Sequence, residues 1–213
     1  MSRPFVSLKL ATSLDGKIAL GNSVSKWITG EKSRERGREL RASHDAILIG
    51  SNTALADNPF LTTRIKRKKD PIRIVFDRRL RLPIESNLAM TAREVPVWVF
   101  TKELSSSRSE TLKEKGVCFF NAAETLDADL FSMCENGVDR LLIEGGGTIA
   151  ASFLDAGLVD EIHWFRAPII LGGDGRSCIG DMNLSGLEEA PVFRRKFHEM
   201  IEQDSYNILE RIA

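Results

Sequence analysis

The sequence predicts an α/β fold: a mostly parallel central sheet flanked by helices, with an antiparallel C-terminal hairpin. Three observations predict it. From Phe5 to Phe165, short apolar runs alternate with helical patterns, the arrangement that builds parallel sheets through crossover connections. At Leu141–Glu161 the order strand, glycine loop, helix, strand is explicit. At the end of the chain, Val192–Glu202 and Ser205–Ile212 are two long strand patterns joined at Gln203-Asp204, a hairpin that gives the sheet an antiparallel edge. The 213 residues suit a single domain, 1–213. A chain of this length can bury roughly 70% of its unfolded surface.

The first strand is Phe5–Ala11, apolar except at Ser7 and Lys9. Lys9 either lays its stem on the sheet and its amine in water, or aims that amine into a cleft. Ser13-Leu14-Asp15-Gly16 is a turn, and Gly21–Lys26 is a small, polar loop anchored by Trp27-Ile28-Thr29. Thr29 can cap a mostly charged helix, Glu31–Ala42, with Arg41 in its last turn. Asp45–Gly50 is a second strand, followed by the small-residue segment Ser51–Asn58, whose hydroxyls and backbone donors suit an anion, and by the breaker Pro59. Pro71–Asp77 is a third strand. Its ending, Asp77-Arg78-Arg79, is either a charged turn or a reader of a ribose and its 2′-phosphate. Val95–Thr101 and Val117–Phe120 are further strands, and Glu110–Lys115 and Leu126–Glu135 are helices.

Leu141-Leu142-Ile143 is a short buried strand with Glu144 at its C-terminal end, followed by Gly145, Gly146 and Gly147. From Thr148 the apolar residues Ile149, Phe153, Leu154 and Leu158 fall roughly on one helical face. Glycines here let backbone N–H groups approach a diphosphate at a helix N-terminus, and Gly145-x-Gly147-x-x-Ala150 fits the dinucleotide spacing. The alternative is a tight turn with no ligand. A carboxylate at a strand's C-terminal end is where open α/β sheets hold ligands. Val159–Leu171 reads as strand broken at Pro168.

Thirty basic and thirty acidic residues give no net charge, a poor balance for a nucleic-acid binder. The one basic run, Arg64–Lys69, reads as solvated loop. Three distant cysteines without C-x-x-C spacing suit reduced thiols in the cytoplasm. No apolar stretch is long enough for a membrane helix, and no signal-peptide pattern opens the chain.

Six motifs then stand in order: LKLATSLDGK from Leu8, SKWIT from Ser25, LADNPxLTxR from Leu55, EGGGT from Glu144, LVDE from Leu158 and APxxLG from Ala167. Together they resemble the riboflavin-biosynthesis pyrimidine reductases, the reductase half of the bifunctional deaminase–reductase. The resemblance implies a dihydrofolate-reductase-like fold, NADPH as cofactor, a phosphorylated pyrimidine as substrate and a homodimer. It assigns the chemistry to Lys9 and Glu144, and the substrate to Ser25, Arg41, Leu61 and Arg64. Around NADPH it places Ala11, Trp27, Thr53, Asp57 and Arg78, with Gly146, Gly147, Thr148, Ile149, Ala150, Ala151 and Ser152.

The implied reaction opens a phosphoribosylamino sugar to a C=N bond at C1′ and adds hydride there to give a ribityl chain. Lys9 can donate a proton, and Glu144 can steady positive charge or relay the ring-opening proton. The deaminase half's H-x-E and P-C-x-x-C zinc motifs are absent from this sequence, so no metal site is expected and a separate deaminase is implied. The substrate is then either the uracil compound or the non-deaminated diaminopyrimidinone. A pterin- or dihydrofolate-type reductase is the neighbouring alternative, and a non-catalytic nucleotide-binding module is an alternative of another class.

Overall fold

The computed structural model describes residues 2–66 and 68–212; Arg67, inside the basic run, lies outside the described residues. In chain order the elements are β1 (Phe5–Thr12), β2 (Lys17–Ala19), α1 (Glu31–Ala42), β3 (Ala46–Gly50), α2 (Ser51–Asp57), β4 (Ile72–Phe76) and α3 (Asn87–Met90). There follow β5 (Val97–Thr101), α4 (Ser107–Glu114), β6 (Cys118–Asn121), α5 (Leu126–Glu135), β7 (Arg140–Ile143) and α6 (Gly147–Asp155). The chain ends with β8 (Glu161–Arg166), β9 (Arg176–Ser177), a 3-10 turn (Leu187–Glu189), β10 (Phe193–Ile201) and β11 (Asp204–Arg211). The chain divides into two compact units.

One unit runs from Arg38 to Leu142, with the N-terminal residues up to Phe5. Its strands lie in the order β7-β3-β4-β5-β6, and β3, β4, β5 and β6 pair in parallel. β3 (AILIG) is buried along its whole length, as expected of a strand covered on both faces. Ile47, Ile49, Val75, Val99 and Leu112 form the centre of the core, and Leu61 from the loop after α2 joins them. Three of its helices start on side-chain caps, Ser86 for α3, Ser106 for α4 and Thr125 for α5, while α2 starts at Gly50 without one. α2 closes on Asn58, which takes the left-handed conformation (φ 39°).

The other unit comprises Val6–Gly37 and the chain from Ile143 onward. β8 pairs β1 in parallel and β11 in antiparallel, and β10 and β11 form the expected hairpin. The predicted mixture of parallel sheet and antiparallel edge is therefore present. Asp204, at the hairpin turn, sends its carboxylate to the start of α1, where it accepts from Gly30 N–H (2.8 Å) and the Ser33 hydroxyl (2.6 Å). This buried carboxylate, rather than the expected Thr29 side chain, meets that helix end. β8 stops at Arg166, short of the predicted run to Leu171. Its polar face is occupied: His163 Nδ1 lies 2.7 Å from the Tyr206 hydroxyl and Nε2 2.8 Å from Glu161, which also meets Lys196.

Candidate active site

Lys9 stands in the middle of β1 and Glu144 one residue beyond β7, the strand end predicted for it. The structure brings their side chains together: Nζ lies 4.0 Å from Oε2, with the side chains 22% and 9% exposed. Partial burial leaves both charges incompletely hydrated, which makes their mutual attraction stronger than it would be in open water. Gly37 of α1 faces this lysine; a Cβ there would stand 3.7 Å from Lys9 Cε.

The glycine loop follows directly. Gly145 and Gly146 have φ of 99° and 85°, which side-chain-bearing residues rarely adopt. Gly147 has a different reason: a Cβ there would meet the Ser177 carbonyl at 2.8 Å and Gly180 N at 3.2 Å. The third glycine admits this neighbouring backbone, whose Gly180 N–H donates to Gly147 O at 2.9 Å. The first turn of α6 has no side-chain cap, so its N–H groups form a donor set that fits an anionic group such as a cofactor diphosphate. Ala150 and Ala151 are buried, Ile149 is half-buried, and Thr148 and Ser152 are exposed.

Ala11 is half-buried on β1, and Ser25 lies half-buried in the loop before α1. Trp27 is exposed, with the Arg34 guanidinium 4.4 Å from its ring centroid, a stacked cation. The turn after β1 does more than its sequence suggested. Asp15 accepts from the Ser13 hydroxyl (2.6 Å) and from the N–H groups of Leu171 (3.1 Å) and Gly172 (2.8 Å). Those hydrogen bonds, the Ser13 hydroxyl foremost, hold its carboxyl at about 2. The signal available in the sequence was Asp at the second-last place of a tight turn, which is also the signature of any turn.

The remaining candidates lie in the Arg38–Leu142 unit. Arg41 Nη1 donates to Thr62 O at 2.9 Å, which brings it onto the loop that carries Leu61 and Arg64. Leu61 is 4% exposed, so its side chain serves the core and only its backbone faces outward chemistry. Leu61 and Arg64 both have φ 54°, and the Arg64 side chain is exposed. Thr53 and Asp57 sit in α2, half-buried and exposed. At its start Ser51 and Asn52 receive Arg81, a cation that the sequence reading missed. Asp77 is 1% exposed and accepts from Leu82 N–H at 2.7 Å, so it is a turn-former, the charged-turn alternative. Arg78 donates to Ala123 O at 2.6 Å and lies 4.0 Å from Glu124, half-exposed. No cluster of metal-ligating side chains occurs among the described residues. No helix among them is long and apolar enough to cross a membrane.

The chain is 36% identical over 208 residues to riboflavin biosynthesis protein RibD of Actinobacillus pleuropneumoniae, covering 95% of this chain and 55% of that protein. It thus spans about half the length of the first curated relatives it matches, 55% and 52%. It is 34% identical over 204 residues to the 2,5-diamino-6-ribosylamino-4(3H)-pyrimidinone 5′-phosphate reductase of Archaeoglobus fulgidus, covering 87% of this chain and 93% of that one. Among solved structures, a deaminase/5-amino-6-(5-phosphoribosylamino)uracil reductase of Thermotoga maritima superposes with TM-score 0.85 at 30% identity, covering 99% of this chain and 57% of that one. The fold is the dihydrofolate-reductase-like α/β fold of these reductases. With residues 4–204 matching the model described as RibD C-terminal domain, the chain belongs to that family.

Proposed function

We propose that this chain is an NADPH-dependent reductase of a phosphoribosylaminopyrimidine, converting the ribose at C1′ to the open ribityl chain. The observation that carries the reading is the Lys9–Glu144 pair, 4.0 Å apart and immediately followed in the chain by the glycine loop. An ammonium and a carboxylate held together can serve both halves of the reaction. As the C1′–O bond breaks, the ring oxygen takes a proton and the nitrogen lone pair forms the cationic C=N, which the Glu144 carboxylate stabilises until hydride adds at C1′. Lys9 can donate that proton to the ring oxygen.

Gly145, Gly146 and the uncapped start of α6 would hold the cofactor's diphosphate, with Ala11, Trp27, Thr53, Asp57 and Arg78 as further contacts. When bound, the nicotinamide supplies hydride. Ser25, Arg41, the Leu61 backbone and Arg64 hold the substrate, and the arginines take its phosphate. The working form we propose is a cytoplasmic homodimer.

The test is oxidation of NADPH with the 5-amino-6-(5-phosphoribosylamino)uracil compound or its diaminopyrimidinone precursor supplied. Turnover with either, and a ribityl product, supports the reading; no oxidation with both would end it. The second substrate has its own support, since the Archaeoglobus relative named for it is covered over 93% of its length.

A further inference from the structure

The loop between α2 and β4 carries Leu61 and Arg64, and its backbone is expensive. Asn58, Leu61 and Arg64 all take positive φ, at 39°, 54° and 54°, without being glycine. Such residues persist only where neighbours over-determine them. Here the neighbours are specific. Asp70 Oδ1 accepts from both the N–H (2.6 Å) and the hydroxyl (2.9 Å) of Thr63, and Ile65 N–H donates to that same hydroxyl at 3.3 Å. Arg73 is fully buried and donates to Phe60 O at 3.2 Å, while its other bonds fix Thr91 and Val95. Asn87 donates its backbone N–H to Asn58 Oδ1 at 2.8 Å and its side-chain amide to Asn58 O at 2.7 Å.

These contacts bracket the loop on each side of Leu61 and immediately before Arg64. We infer that Asp70, through Thr63, and Arg73, through the Phe60 carbonyl, are positioning residues that fix the Arg64 backbone for its phosphate contact. The inference rests on the proposed substrate reading of Arg64. Neither Asp70 nor Thr63 touches substrate in it; both act through the loop. A carboxylate two places before β4 holds a threonine hydroxyl, and the threonine holds the next turn. The exposed basic side chains at 66, 68 and 69 lie between Thr63 and Asp70, inside the stretch that this clamp closes.

The experiment compares Asp70→Ala, Thr63→Val and Thr63→Ser with Arg64→Ala and the double variant Asp70→Ala/Arg64→Ala. KM and kcat are measured with the phosphorylated pyrimidine, inhibition with inorganic phosphate, and amide exchange at Thr63 and Ile65 in the free protein. Asp70→Ala and Thr63→Val are expected to raise KM about tenfold, with kcat changed by less than about twofold, the signature of lost binding. Phosphate inhibition weakens by the same factor, Thr63→Ser stays near wild type, and exchange at Thr63 and Ile65 speeds up. In the Arg64→Ala background Asp70→Ala adds nothing, because its route runs through Arg64. Unchanged exchange at Thr63 in Asp70→Ala, faster exchange with KM unmoved, or a KM loss additive with Arg64→Ala would overturn the inference. If Arg64→Ala itself leaves KM and phosphate inhibition unmoved, the substrate reading of Arg64 fails instead, while the exchange data still report whether Asp70 holds the loop.

Discussion

Asp15 illustrates how much a single turn residue can carry. Its carboxylate closes its own turn and takes two backbone N–H groups from the Leu171-Gly172 segment. Its carboxyl sits at about 2, below the ordinary 3.8. A depressed carboxyl contributes stability above its unfolded pKa and loses it as pH falls through the folded value. Asp15→Asn should therefore unfold more easily than wild type at neutral pH, and the gap should narrow between pH about 4 and 2. Thermal unfolding across that range checks it; a gap that stays constant would mean the charge is not what holds the segment. At this scale the sequence was legible where chemistry and position coincide, as at Lys9 and Glu144, an odd lysine in an apolar strand and a carboxylate at a strand end. It was not legible at Asp77, which the structure buries in its own turn. A carboxylate after a strand has the same local sequence whether it turns inward or outward.

At the scale of elements, α1 and α5 follow the boundaries read from the sequence, although Asp204 meets the start of α1 in place of the expected Thr29 side chain. β2, α3 and β9 went unread, since two to four residues cannot display a period. α2 also lacked a helical stripe: SNTALAD buries only Ala54. Two glycines in well-read elements make opposite predictions. Gly37→Ala puts a methyl 3.7 Å from Lys9 Cε, an ordinary contact, within a helix. It should stabilise the protein by about 0.5–1 kcal/mol in urea unfolding. Gly147→Ala forces its Cβ to 2.8 Å from the Ser177 carbonyl, a backbone atom that cannot swing away. It should destabilise by about 1–3 kcal/mol, the range for overpacking. Equal effects from the two would mean that the glycine loop tolerates side chains and that its third glycine serves a ligand alone.

For the molecule as a whole, the alternation of strands and helices gave the fold class, and the two long terminal patterns gave the antiparallel edge. The division into units was hidden, because one unit is assembled from distant parts of the chain: β1 residue Ser7 pairs with Glu161 of β8. Periodicity describes an element's faces and says nothing of which distant element covers them. The basic run shows the same limit. Arg64 opens it with a left-handed backbone, φ 54°, while Lys68, equally exposed, sits in a turn where its N–H donates to Ile65 O at 3.3 Å. Arg64→Ala should raise KM for the phosphorylated substrate about tenfold to a hundredfold and leave a dephosphorylated analogue nearly unaffected. Lys68→Ala should alter neither. Equal losses for both variants would describe a diffuse basic patch.

The central claim is that Glu144, paired with Lys9 beside the glycine loop, works in an NADPH-dependent reduction of the substrate's sugar. The most direct measurement is steady-state NADPH oxidation by Glu144→Gln with the phosphoribosylaminopyrimidine, alongside NADPH binding to the same variant. The variant keeps the side chain's size and removes its charge, so kcat should fall by about a hundredfold or more while NADPH still binds. Near-normal turnover by Glu144→Gln would contradict the claim and take Glu144 out of the chemistry.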